Sequence, residues 1–445
     1  MQYSTLGSKK TSGIKVAAAA LFSLLLAPGI VSAQEEDERR FADTKTQQRH
    51  AVGQACGKVL EGVQVLTEAE NWAAARRDLE GSAMSACKTS YEKSQVYNFL
   101  GYVYYSQDRY QDAVNAYRNM VNEPQVDERQ AISTRYTIAQ LYLILEDYAR
   151  AAKELEEWMK VSPIVGADAK VLLGQAYYQL ERRDDALRLV NDAIADQESK
   201  GNLPKEGWWS LQRVIYYEKN DYKKVADILK KLIIHYPNFS YWQQLGGMYS
   251  ELNQPINQLV ATEVSYLAGK MDQERQLVSL AYMFMGAEAP YMGARIIEKG
   301  MREGKIKRSA ENLEVLGLAY QQGQDSKKAL PVLEEAAKAS GKGAIYARLA
   351  GVYLDLDDNE KSVVAARNAI QRGGIQRIDM TYMNLGNALI NLHCYNDAIS
   401  AFRNAARDDR SAKYASQWID FATQEGERRA KLIESGAKIA GCKRV

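Results

Sequence analysis

From about residue 56 to residue 412, apolar side chains recur three or four places apart, and nowhere do they alternate in the manner of a strand. That period places them on one face of a helix with a polar face opposite, so the pattern predicts amphipathic helices along the whole stretch. Turn chemistry interrupts the runs at "SQDR", "LEDY", "ERRDD", "EKND", "ELNQ", "QGQD" and "LDDN". Such polar clusters let the chain reverse. Short antiparallel helix pairs are therefore expected. Only eight prolines occur, and Pro163 and Pro237 fall where a pair ends, since proline does not continue a helix.

The pairs repeat. Leu100-Gly101 is followed by Tyr104, Ala113, Tyr117 and Pro124; Leu173-Gly174 by Tyr177, Ala186, Val190 and Ala193; Tyr382 and Leu385-Gly386 by Leu389, Ala398, Phe402 and Ala405. Copies also stand at Ile138-Ala139, Leu245-Gly246, Leu316-Gly317 and Leu349-Ala350. This spacing resembles the tetratricopeptide repeat, W-x₂-L-G-x₂-Y followed by Ala, an aromatic, Ala and Pro over about 34 residues. Unit starts fall near 56, 94, 132, 167, 206, 239, 274, 310, 343 and 379, those near 56, 206 and 274 departing most from the pattern. The resemblance implies an all-α, right-handed superhelical solenoid of about ten helix-turn-helix units, with stability summed over neighbour contacts. The array is expected over 49–411. Residues 412–445 then read as a capping helix and tail, helical from Ala412 to about Lys438, with Trp418, Phe421 and Ala422 facing inward and "EGERRAK" as the polar outer face.

Composition changes this picture mainly at the front. Lys9, Lys10 and Lys15 precede the apolar run "VAAAALFSLLL" and then "VSAQ". This is the layout of a secretory signal with cleavage after Ala33. The apolar run is short for a membrane anchor, which needs about 20 residues. A cleaved signal over 1–33, a polar leader over 34–48 and a periplasmic location are therefore expected. The chain has 58 Lys plus Arg against 56 Asp plus Glu; without the three lysines of the front segment the balance is 55 to 56. No basic footprint of a nucleic-acid binder is present.

Catalytic signals are weak. His50, His235 and His393 stand far apart, without partners at metal-ligand spacing. The pairs Asp184-Asp185, Asp357-Asp358 and Asp408-Asp409 fall in turns, and "GKIKR" (304–308) is a short basic loop. No phosphate-cradling glycine loop or nucleophile elbow occurs. A non-enzyme without cofactor or metal is expected; the alternative is a catalytic part within the degenerate stretch 200–300. Four cysteines, Cys56, Cys87, Cys394 and Cys442, suit disulfides in an exported protein. In the repeat register Cys56 opens the first unit and Cys87 closes it, and antiparallel helices bring those ends to one edge. Cys394 and Cys442 are then left to pair. Four unpaired thiols is the alternative that stays open.

In a tetratricopeptide superhelix the first helix of each unit lines the concave groove, with places five, nine and twelve pointing in. Here the resemblance assigns those places to Asn98, Tyr102, Tyr105, Tyr136, Gln140, Gln175, Tyr178, Tyr217, Gln243, Tyr282, Gln321 and Asn387. Such a groove is rich in tyrosine and carboxamide and poor in charge, which suits an extended peptide. Tyr104, by contrast, reads as a spacer within the array. The Lys/Arg/Asn cluster by which chaperone-binding relatives grip a C-terminal carboxylate is missing. The signal segment, the cysteine near "GQACGKVLEGV" and the repeats running onward from it also resemble the periplasmic tetratricopeptide proteins found with TonB–ExbB–ExbD systems. That likeness implies an accessory role in TonB-dependent uptake across the outer membrane, for example of iron chelates, with TonB or ExbB/ExbD-type components as partners. TonB's proline-rich linker would suit an aromatic groove. A scaffold for outer-membrane or envelope biogenesis is the alternative.

Overall fold

The computed structural model describes residues 51–443; the expected signal segment and leader lie outside them. Every described element is helical, and the helices come in ten consecutive pairs followed by one long terminal helix. The chain divides into two compact units, Met1–Tyr236 and Pro237–Val445.

The first unit holds five pairs. They are α1 (Gln54–Glu68) with α2 (Trp72–Asp78), a π-helical turn (Leu79–Ala83) and α3 (Met84–Ala86); α4 (Ser90–Ser106) with α5 (Tyr110–Val121); α6 (Glu128–Ile144) with α7 (Tyr148–Val161); α8 (Ala167–Gln179) with α9 (Arg183–Ser199); and α10 (Glu206–Glu218) with α11 (Tyr222–His235). The second unit holds α12 (Phe239–Glu251) with α13 (Pro255–Leu267), α14 (Glu274–Gly286) with α15 (Pro290–Arg302), α16 (Ala310–Gln322) with α17 (Ser326–Ser340), α18 (Gly343–Asp355) with α19 (Asn359–Arg372), α20 (Ile378–Asn391) with α21 (Tyr395–Ala405), and α22 (Asp409–Glu434). The first and second helices of each pair are called A and B below. The stretch 200–300 folds into the same pairs as the rest.

Each A helix turns into its B helix across three residues by one device. A non-glycine residue takes the left-handed conformation in every pair, from Glu70 (φ 54°) to His393 (φ 64°). The next N–H then reaches back to the last turn of A, as Arg182 does to the Tyr177 carbonyl at 2.8 Å and Asp358 to that of Tyr353 at 2.8 Å. These bonds satisfy carbonyls that a helix end leaves orphaned. In four pairs an aspartate at this place also caps helix B, Asp147, Asp221, Asp325 and Asp358 accepting from the N–H three residues on.

Close packing within a pair depends on the small residues of the pattern. A Cβ on Gly101 would lie 2.3 Å from a ring carbon of Tyr117, and one on Gly386 2.4 Å from a ring carbon of Phe402, both far inside contact distance. Between pairs, the tyrosine of the pattern acts as a link. Tyr104 donates its hydroxyl to Glu80 at 2.5 Å and Tyr177 to Glu156 at 2.7 Å, each glutamate belonging to the preceding pair. Arg109 and Arg182 lie over the same two rings, at 4.7 and 3.8 Å from the centroids. Burial, then Glu80, pushes the Tyr104 hydroxyl up to about 12.

The terminal helix departs from expectation. It begins at Asp409, and Ala415 and Ala422 are buried against the preceding pair, but Trp418 and Phe421 are 38% and 48% exposed. In the repeat register these two occupy places that the B helix of the same pair covers elsewhere. No B helix follows α22 among the described residues.

Candidate peptide-binding faces

Each unit presents a face built from its A helices. In the second unit Gln321 of α16 and Asn384 of α20 converge on Gly351 of α18: a Cβ there would lie 3.4 Å from the Gln321 amide nitrogen and 3.3 Å from that of Asn384. Gly351, itself half-buried, thus gives the two carboxamides room to approach each other. Asn387, one turn beyond Asn384, is half-buried and has a buried Oδ1 without a hydrogen-bond partner. Glu314 accepts from Arg348 Nε at 3.2 Å. The half-exposed Tyr282 feels both charges, its hydroxyl raised by burial and then by Glu314, with Arg348 opposing. Gln243, on α12, is exposed.

In the first unit Tyr102, Tyr105 and Tyr217 stand 48%, 40% and 51% exposed. Tyr102 meets the edge of Trp72 at 5.8 Å, and Tyr105 and Tyr217 lean on Tyr110 and Tyr222 at 5.9 Å. Such contacts leave the rings rigid and available. Asn98, Gln140 and Gln175 are half-buried. Tyr178 is committed within the protein: it donates to Glu218 of the next pair at 2.8 Å, and Glu218 also pairs with Arg183. Tyr136 is half-buried against Trp158 of its own B helix, ring centroids 4.8 Å apart. It faces the core because a tryptophan there fills a place where the repeat pattern carries alanine.

The expectation of a face poor in charge is thus corrected in part, by Glu314–Arg348 and Arg183–Glu218. Arg348 and Asn384 were missed because they stand at place six of their units, and counting that place alongside five, nine and twelve finds both. Glu314 stands at place five and was passed over among neutral neighbours. Gln95 and Gln130, joined amide to amide at 3.1 Å across two pairs, also went unnoticed.

The other candidates have structural partners. His235 lies against Trp209 at 5.6 Å, and His393 occupies a left-handed turn; His50 is outside the described residues. Asp184 pairs with Lys219 and Asp185 with Arg182. In the basic loop Arg308 is held by Glu335 and Lys305 by Glu303. Among the described residues no group of three or more His, Cys, Asp or Glu is arranged to hold a metal ion, and no helix is long and apolar enough to cross a membrane. Cys56 faces Cys87 with Cα atoms 4.7 Å apart, and Cys394 faces Cys442 at 4.5 Å. Both pairs have the geometry of a disulfide.

Comparison with known families gives two matches, both described as tetratricopeptide repeat, at residues 94–121 and 136–202. The chain carries tetratricopeptide repeats. Comparison with curated protein sequences gives no match. Among solved structures the chain is similar to a tetratricopeptide repeat protein from Parabacteroides merdae, with 13% identity over 67% of this chain and 98% of that one, at a TM-score of 0.38. It is also similar to MamA, with 18% identity over 40% and 94% at a TM-score of 0.34. A third likeness is to the TPR2AB domain of yeast Sti1 in complex with pHSP90, with 17% identity over 58% and 98% at a TM-score of 0.25. At these scores none of the three bears on function. Proteins of this repeat class serve as protein–protein interaction scaffolds, typically without catalytic activity.

Proposed function

We propose that this chain is a non-catalytic periplasmic scaffold whose A-helix faces hold an extended segment of a partner protein. The observation that carries the reading is the second unit's carboxamide set. Gln321 and Asn384 converge on the half-buried Gly351, and Asn387 keeps a buried acceptor without a partner. Carboxamides both donate and accept, as a peptide backbone does. In the first unit the exposed Tyr102, Tyr105 and Tyr217 offer rigid aromatic area, which suits proline-rich chain.

The partner we propose is the energy-transducing machinery of TonB-dependent uptake, engaged through TonB's proline-rich periplasmic linker. The reading is supported by the tyrosine-rich faces and by the layout of the N-terminal segment. Titration of the protein with a peptide of that linker, followed by calorimetry, is expected to show saturable binding that Asn387→Ala and Asn384→Ala each weaken about tenfold, the worth of one or two buried hydrogen bonds. Affinity capture from envelope extract should recover TonB or ExbB/ExbD-type components. Absence of peptide binding, or recovery of outer-membrane assembly subunits in their place, overturns the TonB assignment.

A further inference from the structure

We propose that α22 is a self-association helix, and that two copies of the chain pair through it, antiparallel, about a twofold axis between Gln417 and Trp418. The starting observation is the aromatic stripe Tyr414, Trp418 and Phe421, exposed at 62%, 38% and 48%. With Gln417, these side chains stand at places four, seven, eight and eleven of an incomplete repeat. In α20 the same places are Tyr382, Leu385, Gly386 and Leu389, and helix α21 covers them, Phe402 lying over Gly386. The flank of α22 that carries the stripe is therefore built to receive an antiparallel helix. At the glycine place, however, stands Trp418, stacked on Phe402 at 5.9 Å and met by the edge of Phe421 at 5.6 Å. A large ring there denies the close approach that a B helix makes, so the arriving helix must interleave large side chains across the contact.

The occupant follows from the order of residues along that flank: Arg410, Tyr414, Gln417, Trp418, Phe421, Glu425. The spacing reads the same in both directions. Turned end for end, it places Tyr414 opposite the other copy's Phe421, Gln417 opposite Trp418, and Arg410 opposite Glu425 at both ends of a contact about 22 Å long. Self-complementarity of this kind is what a twofold interface requires. Arg410 now bonds Asp408 at 2.6 Å and lies 3.9 Å from the buried Asp379, and Glu425, its side chain 22% exposed, bonds Arg428 at 2.6 Å. The Arg410–Asp408 pair is at the surface, where partners exchange at little cost. The stripe offers on the order of 300 Å² of aromatic surface per copy, less than the roughly 800 Å² per partner of a standard stable interface. The association is therefore reversible and concentration-dependent.

Sedimentation equilibrium of the full-length protein tests this independently of any client. The mass average is expected to rise from one chain toward two across about a hundredfold range in the micromolar region. Arg410→Glu sets like charges opposite each other at both ends and should weaken the pairing about tenfold, as should Glu425→Arg. The double variant Arg410→Glu with Glu425→Arg restores opposite charges and should recover the original mass profile. Arg410 lies 3.9 Å from the buried Asp379 and Glu425 is half-buried, so unchanged helical circular dichroism is required to show that each variant is folded. A one-chain mass at every concentration overturns the proposal. So does a dimer indifferent to the single reversals, or a double variant as weak as either single one.

Discussion

Glu288 sits at φ 59° between α14 and α15 with its side chain exposed. A Cβ in that conformation costs about 1–2 kcal/mol, and glycine avoids the clash at some cost in chain entropy. Glu288→Gly is therefore expected to raise stability by about 0.5–1 kcal/mol, read as a higher urea midpoint, while Glu288→Ala stays near wild type; equal midpoints for the two would mean the turn is not left-handed. Asp379 is a different case. It is 1% exposed and takes two bonds from Arg377, at 2.9 and 2.7 Å, and one from the Ser411 hydroxyl at 2.6 Å. The Arg377 guanidinium, with Ser411, holds its carboxyl well below the usual carboxylate range. A pKa lower in the folded than in the unfolded chain adds stability that is present above about pH 4 and fades as pH falls toward the folded value. The stability gap between wild type and Asp379→Asn should thus be full at pH 7 and shrink steadily below pH 4. A gap independent of pH would show that the charge of Asp379 contributes nothing. Arg377 stands only two residues before the aspartate, but the burial and the Ser411 bond were not legible locally, because that hydroxyl stands 32 residues on, in another element.

The helices themselves were the most legible part, since period and turn residues are local signals and every expected pair is present. What escaped the pattern depended on neighbours. Tyr136 turns to the core because of Trp158, and Tyr178 is taken by Glu218. Trp418 and Phe421 look like core residues by composition, yet burial requires a covering helix, and none follows α22 among the described residues. The weakest match to the repeat, the pair α1–α3, shows how non-local ties replace pattern. Glu92 closes a capping box with Thr89 and also accepts from the N–H groups of Gly53 at 2.8 Å and Lys88 at 2.8 Å. Those backbone bonds, that from Thr89 foremost, hold its carboxyl below the usual range. Cys56 and Cys87 add a covalent tie across 31 residues, worth about 3–4 kcal/mol in the loop-entropy model. We expect both cysteine pairs to be oxidised in exported protein. Alkylation under denaturing, non-reducing conditions should then label no thiol, and four labelled thiols would refute the pairing.

At the scale of the molecule, a stack of repeats is held by neighbour contacts alone, so its outermost pairs have one neighbour fewer and open first. In each of the two units one such end pair carries cysteines: Cys56–Cys87 closes the first pair of one unit, and in the other Cys394–Cys442 straps the segment after α22 back to the turn between α20 and α21. Fraying is thereby suppressed at those two ends. A protease offered the oxidised protein should make its earliest cut in an interior connection such as 200–205, and a reducing agent should move that cut outward to the extremities. The redox state of the surroundings, in other words, decides which part of this chain first becomes available for destruction.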